Sequence, residues 1–393
     1  MATIIVTLPA FFESSYRWYA ENRVSWVGIV TAAWMTPLAG TTISGLLLRT
    51  IGTFVGAISS LVLYYIGGAG NVIAILVLFP FFMFGFVLVL RREPLKIQLH
   101  LLTIITFILI TGYDLQILKG GIALADSTGQ RYMPIYLLAP YRFLVVFIGV
   151  CTSTLFTLFP HPHTTRSLLR RNIAKHLFTL SSFFGLINEK LLIDRSNFST
   201  GGLDKESFKL QKRIVRLLNE ERAGLQSVQY EFSLRGSFPR KTYTALVNSL
   251  SVISTLYQLI YYAERGLSDY WQDQVYRAQS SPEGVRWRQQ VVTYENNMAL
   301  SLLIKIPLPS AVPNFQNARD DYRKQLYNSP GYVMPNINDP GFTNIAAVIV
   351  SGGMAATELS VIAYLVKDLV GSREEMAWTE AGIKKQRRES IRK

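Results

Sequence analysis

The sequence predicts an all-α protein: a polytopic membrane helix bundle followed by a cytoplasmic helical domain. Three observations predict it. The 393 residues are 49% hydrophobic with a mean hydropathy of +0.23, and a soluble domain of this length rarely has a positive mean. Several apolar runs reach the roughly 20 helical residues that a bilayer core requires. Charge is concentrated in the second part: residues 1–159 hold nine Lys/Arg and five Asp/Glu, against 31 and 21 in the rest. The division is therefore a membrane domain, 1–159, and a cytoplasmic helical domain, 160–393.

The spans follow in order. Val24–Ala69 is one apolar tract interrupted only by Arg49. It is too long for one span and long enough for two. Proline lacks an N–H and disfavours helix at the residue before it, so Pro37-Leu38-Ala39-Gly40 marks the break. That predicts spans near 24–41 and 45–67. Val72–Leu90 carries no charge, Ile97–Leu118 carries Asp114 near its end, and Tyr136–Phe159 carries only Arg142. These make five whole spans. The opening "MATIIVTLPAFF" is too short for another and has no basic region of the signal-peptide kind. It reads as the tail of a truncated first span.

Basic residues orient the spans, because short cytoplasmic loops are enriched in Lys and Arg. Arg91-Arg92-Glu93-Pro94-Leu95-Lys96 and the segment with Arg166, Arg170, Arg171 and Lys175 both belong on the cytoplasmic side. Two spans separate them, as a shared side requires. The net charge of +14 is thereby explained without a nucleic-acid partner. Lys384–Lys393 is a basic tail that can touch anionic lipid, at roughly 1 kcal/mol per basic residue.

Beyond Thr164 the pattern is amphipathic. Arg166–Leu192 continues out of the membrane. Leu203–Phe232 places Phe208, Ile214, Leu217, Leu218, Leu225 and Val228 at three- and four-residue spacing. Pro239 suits the first turn of a helix reaching Arg265. Leu267–Leu303 holds two more helices, Ile306–Pro340 is loop-rich through its prolines, and Asn344–Val370 is a long apolar helix. Asn197-Phe198-Ser199 forms a glycosylation sequon that a cytoplasmic position leaves unused.

"YAENRVSWVGIVTAAWMTPLAGTTISGLLLRTIGTFVGA" resembles the fusaric acid resistance-type membrane domain of aromatic acid exporters. The resemblance rests on Trp26, Pro37, Gly40, Thr42, Arg49, Gly52, Thr53, Gly56 and Ala57. "YLLAPYRFLVVFIGVCTSTLFTLFPHP" resembles the last span of the fungal branch. "SLRGSFPRKTYTALVNSLSVISTLYQLI", with Phe238-Pro239 and Tyr243, resembles the attached domain of brefeldin A-sensitivity-like, putative endoplasmic-reticulum transporters. Such fungal proteins carry two sets of spans, and this chain resembles the second half. The resemblance implies efflux of organic, aromatic acids, coupled to protons, across the endoplasmic reticulum or plasma membrane.

Candidate substrate-path residues are Pro37, Gly40, Gly45, Arg49, Asp114 and Arg142. Pro37–Gly45 reads as a broken helix, which survives at membrane depth only inside protein or beside a water-filled cavity. Arg49 reads either as an anion ligand or as a snorkelling anchor near the cytoplasmic end of its span. Asp114 and Arg142 belong to neighbouring outer ends, as an ion pair or as a proton-carrying carboxylate beside a cation. Gly52-x-x-x-Gly56 is a small-residue pair for helix packing. It also offers a contact for pairing with a second copy or a longer relative. His100 reads as interfacial, and Cys151 as a small buried hydrophobe that excludes an internal disulfide. His161-Pro162-His163 is too isolated for zinc. No nucleotide loop, catalytic order or cofactor motif stands out, and Gly352-Gly353 opens no phosphate motif. The expected ligands are therefore membrane lipid and a small organic anion, with no cofactor, no metal and no enzymatic activity. The rival reading is a non-transporting membrane scaffold or regulator that acts through its cytoplasmic helices.

The orientation has a direct check. Cysteines introduced at Glu93 and at Ser390 are expected to react with an impermeant thiol reagent only after the membrane is permeabilised. Reaction of just one of them in intact cells contradicts the assigned topology.

Overall fold

The computed structural model describes residues 2–35, 38–67, 79, 82–83, 85–87, 97–123, 131–159, 164–192, 201–231, 238–309, 315–327 and 340–371. Every extended regular element among them is a helix. The chain divides into one unit of Met1–Thr165 with Ser227–Phe232 and a second of Arg166–Gln226 with Ser233–Lys393.

The first unit contains α1 (Ala2–Thr7), a 3-10 turn (Leu8–Phe11), α2 (Glu13–Glu21), α3 (Ser25–Trp34), α4 (Ala39–Gly67), α5 (Ile97–Gly120) and α6 (Ile135–Leu158). Stretches within α4, α5 and α6 are long and apolar enough to cross a membrane: Ala39–Ile66, Leu99–Gly120 and Ile135–Leu158. The expected span at Val72–Leu90 and the basic loop at Arg91–Lys96 fall almost wholly outside the described residues.

The Val24–Ala69 tract departs from its expected division. Helix stops at Trp34, Met35 is extended, and α4 already begins at Ala39. The break is therefore earlier than 41–45, and Gly40 and Gly45 are helical. A lone glycine costs a helix only about 1 kcal/mol, which the surrounding apolar residues outweigh. The span expected at 24–41 is instead the ten-residue α3, about 15 Å long. That is half of the hydrocarbon thickness. The turn leading into it is made by Arg23, whose φ of +52° is uncommon for a residue with a side chain.

Glycines set the closest helix contacts in this unit. A Cβ on Gly52 would lie 2.5 Å from the Leu99 carbonyl oxygen, and one on Gly56 would lie 2.6 Å from that of Thr103. The pairs advance together along both helices, so α4 and α5 run parallel. Thr103 Oγ1 donates to the Gly52 carbonyl at 3.1 Å. Gly149 of α6 meets Val27 and Val30 of α3 in the same way, and Thr31 Oγ1 donates to the Gly149 carbonyl at 3.2 Å. The face expected to be available for pairing with another chain is thus occupied by α5. Lipid supplies no hydrophobic force between helices, so close backbone approach has to supply the attraction.

The second unit contains α7 (Thr165–Leu192) from Arg166 onward, α8 (Gly201–Val228) as far as Gln226, α9 (Arg240–Arg265), α10 (Asp269–Ser280), α11 (Pro282–Ile304), α12 (Phe315–Tyr327) and α13 (Pro340–Val370). Leu169, Ile173, Leu177, Leu180, Phe183 and Ile187 form the buried stripe of α7. On α8 the stripe is Ile214, Leu217 and Val228, whereas Phe208, expected inside, is exposed. Ser281 caps α11 by accepting the Gly284 N–H at 3.1 Å, with Pro282 in the first turn. Lys305, in the left-handed region, ends α11. The stretch expected to be loop-rich contains α12, amphipathic and thirteen residues long. Prolines flank it in sequence but do not enter it. α13 packs along α9 through Ala355, Ala356, Leu359, Ile362, Ala363 and Val366. By length and composition Gly341–Val370 also meets the requirement for a membrane span.

The glycine contacts yield a prediction. Gly56→Leu must displace the Thr103 backbone, at about 1–3 kcal/mol, and is expected to lower the melting temperature of the detergent-solubilised protein. Gly112, around which a Cβ meets nothing within 4 Å, should tolerate the same change. Equal melting temperatures for the two variants would contradict the packing role of Gly56.

Candidate functional site

Buried arginines and the aromatic rings beneath them define the site. Arg49 lies ten residues after the start of α4, about 15 Å along its axis. It is therefore well inside the span, not at its cytoplasmic end as expected. It is 2% exposed, so it does not snorkel. Its guanidinium lies 4.2 Å over the Trp34 ring, and Nη1 donates to the Trp34 carbonyl at 3.3 Å. Trp34 ends α3, where the last carbonyls have no partner within the helix. A cation at a helix C-terminus also complements the helix dipole. Gly45 makes the arrangement fit: a Cβ there would lie 3.0 Å from the Arg49 Cζ. Gly45 and Arg49, separate candidates in the sequence, are one feature that closes the interrupted end of α3.

Gly40 has a different job. Its N–H, in the first turn of α4, donates to Thr165 Oγ1 at 3.2 Å. A Cβ at Gly40 would collide with that hydroxyl and with the Ser227 carbonyl. Pro37 lies outside the described residues.

The second cluster lies where α3 and α6 begin and α5 ends. Arg142 is 9% exposed, and its guanidinium sits 4.0 Å over the Trp26 ring. Arg23 is 7% exposed and sits 4.1 Å over the Tyr113 ring. Its Nε and Nη2 are buried without a hydrogen-bond partner among the described residues. The two guanidiniums lie within electrostatic reach of each other. The expected ion pair between Asp114 and Arg142 is not made: Arg142 turns to Trp26, and Asp114 Oδ2 is buried without a partner. Among the described residues no carboxylate forms an ion pair with Arg23 or Arg142. Two cations held on aromatic faces can receive an anion, since each guanidinium fork can bond both oxygens of a carboxylate.

Arg23 was missed because it precedes the apolar tract and reads as a flanking charge. The legible signal was its place in Arg23-Val24-Ser25-Trp26, a cation directly before an aromatic helix start. Sequence reasoning also missed a polar core in the second unit. His176 Nδ1 lies 3.0 and 3.1 Å from the Glu221 carboxyl oxygens, and Nε2 lies 3.0 Å from Ser254 Oγ. This resembles a serine–histidine–acid order, but Ser254 Oγ donates to the Leu250 carbonyl at 2.5 Å. The imidazole Nε2 therefore carries the hydrogen shared with that oxygen. All three side chains are buried, and burial pushes the Glu221 carboxyl up while the His176 hydrogen bond opposes the shift. Tyr257 donates to Glu295 at 2.9 Å. Burial raises Glu295 to about 8 against the lowering effect of that hydrogen bond. The missed signal was a polar residue standing within each apolar stripe.

Residues 6–156 match the family described as fusaric acid resistance protein-like, and residues 164–325 match the Brefeldin A-sensitivity protein 4-like domain. The first part of the chain is thus similar to fusaric acid resistance proteins and the second to the brefeldin A-sensitivity domain. With α4, α5 and α6 long and apolar enough to cross, the chain is a multi-pass membrane protein. An uncharacterized protein of Schizosaccharomyces pombe is 24% identical over 391 residues, which cover 94% of this chain and 28% of that protein. The chain thus spans little more than a quarter of that relative's length.

The Arg49 contacts separate charge from geometry. Arg49→Lys keeps the cation but loses the planar stack and the directed bond to Trp34. It is expected to lower the melting temperature of the solubilised protein by a few degrees, and Arg49→Ala by more. A lysine variant as stable as the parent would contradict the closing role of the guanidinium.

Proposed function

We propose that the membrane unit exports organic anions, with aromatic acids as the substrate class that the family resemblance implies. The observation that carries this reading is the Arg23–Arg142 pair. Each arginine is buried, each guanidinium rests on an aromatic face, and neither has a carboxylate ion-pair partner among the described residues. Burying charge without compensation is costly, and ionisable residues within a span usually mark a substrate or ion path. An aromatic carboxylate would supply the missing negative charge and stack beside Trp26 and Tyr113. Asp114, next in sequence to Tyr113 and with an unpartnered oxygen, is the proton carrier in this reading.

In this reading the second unit lies on the cytoplasmic side, and the protein serves the endoplasmic reticulum or the plasma membrane. Pairing with a second copy or a longer relative would need a surface other than the Gly52–Gly56 face, which α5 covers.

The test is efflux of a labelled aromatic acid, normalised to protein in the membrane. A charge-assisted hydrogen bond contributes about 1.5–3 kcal/mol, so Arg23→Gln and Arg142→Gln should each lower efflux about tenfold or more. Arg17→Gln, at an exposed position of α2, should leave it unchanged. Parent-like efflux in both buried variants would overturn the assignment.

A further inference from the structure

The second unit contains a cavity of about 380 Å³ bounded by α10, α11, α12 and α13. A smaller one of about 60 Å³ extends inward to α7 and α9. The two share Val275, Trp287, Val348 and Gly352 in their walls. The outer volume falls in the range of small-molecule sites, and its lining is mostly apolar with a few polar groups, as such sites usually are.

The inner end carries two side chains that find no hydrogen-bond partner among the described residues. Glu264 is 8% exposed and lines the cavity, with the Lys190 charge in electrostatic reach. The missing hydrogen bond sets it apart from Glu221 and Glu295, which are engaged by His176 and Tyr257. Gln279 is 7% exposed, and its Oε1 is buried without a partner. Buried polar groups are nearly always hydrogen-bonded, and an exception calls for an explanation. Burial raises the Glu264 carboxyl well above the usual range, with the Lys190 charge pulling the other way.

The Gly352-Gly353 pair shapes the entrance. A Cβ on Gly353 would lie 3.2 Å from the Arg319 Nη1, which donates to the Gly353 carbonyl at 3.3 Å. A Cβ on Gly352 would meet nothing within 4 Å. One glycine admits the arginine of α12, and the other leaves the passage between the two cavities open. At the mouth, Arg319 is paired with Asp320, and Arg323 donates to the Tyr327 hydroxyl at 2.9 Å. The Arg319 charge at the rim is thus met by Asp320, whereas Glu264 at the inner end accepts no hydrogen bond among the described residues.

We propose that this cavity binds a small apolar amine, its body against Trp287 and Val348 and its ammonium group between Glu264 and Gln279. An ammonium brings hydrogen-bond donors to both acceptors, and its charge favours the ionised form of a carboxyl that burial otherwise holds protonated. The site lies in the second unit and is independent of the anion pair in the membrane unit.

The test uses the full chain in micelles of a neutral detergent, with empty micelles as the blank. Naphthylmethylamine, naphthylmethanol and naphthylacetate are compared by equilibrium dialysis. The amine should bind about tenfold tighter than the alcohol or the acid, the margin of one charged hydrogen bond. Glu264→Gln should remove that margin and leave the alcohol's affinity unchanged. Gly352→Leu should fill the passage and abolish binding of the amine at an unchanged melting temperature. Arg23→Gln should leave amine binding intact, which separates this site from the transport reading. Equal or tighter binding of the acid would overturn the proposal, and so would parent-like amine binding in Gly352→Leu. If Glu264→Gln does not fold, the amine-to-acid ratio and Gly352→Leu still decide.

Discussion

The contact between Arg49 and Trp34 ties α4 to the end of α3. A helix that stops inside a membrane leaves carbonyl groups without partners, and lipid cannot satisfy them. Arg49 meets that need from the neighbouring helix, with its guanidinium on the Trp34 ring and a hydrogen bond to the Trp34 carbonyl. The ring shields the cation, and Gly45 clears the space in which it lies. Three residue types that look unrelated in the sequence serve one requirement: closing a polar backbone end where no water is available.

The same pairing of cation with ring recurs at Arg23 and Arg142 with the opposite outcome. Arg49 bonds a carbonyl of its own protein. Arg23 and Arg142 rest on Tyr113 and Trp26, and Arg23 keeps nitrogen atoms without acceptors. A cation–π contact contributes about 0.5–2 kcal/mol, which is less than burying an unpaired charge costs. The remaining deficit is what a bound anion can supply. Aromatic rings under arginines thus act structurally at one place and leave binding capacity at the other, according to whether a backbone oxygen is in reach.

The second unit treats its buried acids in two ways. Glu221 and Glu295 are held by His176 and Tyr257 within well-filled stripes. Glu264 is also buried, on α9, but borders a cavity. The difference lies in hydrogen bonding. His176 and Tyr257 engage the first two, while the third accepts no hydrogen bond among the described residues.

Much of this protein was legible in the sequence. Apolar runs of sufficient length identify α4, α5 and α6 because bilayer thickness converts directly into residue count. The three- and four-residue spacing of Ile214, Leu217 and Val228 locates a buried helix face because a helix turns every 3.6 residues. Gly52 and Gly56 announce close packing for the same reason. Local pattern could not locate the end of α3, which depends on Arg49 arriving from α4 to close it. Nor could it separate the roles of Arg49, Arg142 and Arg23, since each is a single cation within or at the edge of an apolar run. Those roles depend on which ring and which oxygen the fold brings opposite each guanidinium. Charge and hydrophobicity are properties of a residue, whereas compensation of a buried charge belongs to a pair and is decided only when the helices meet.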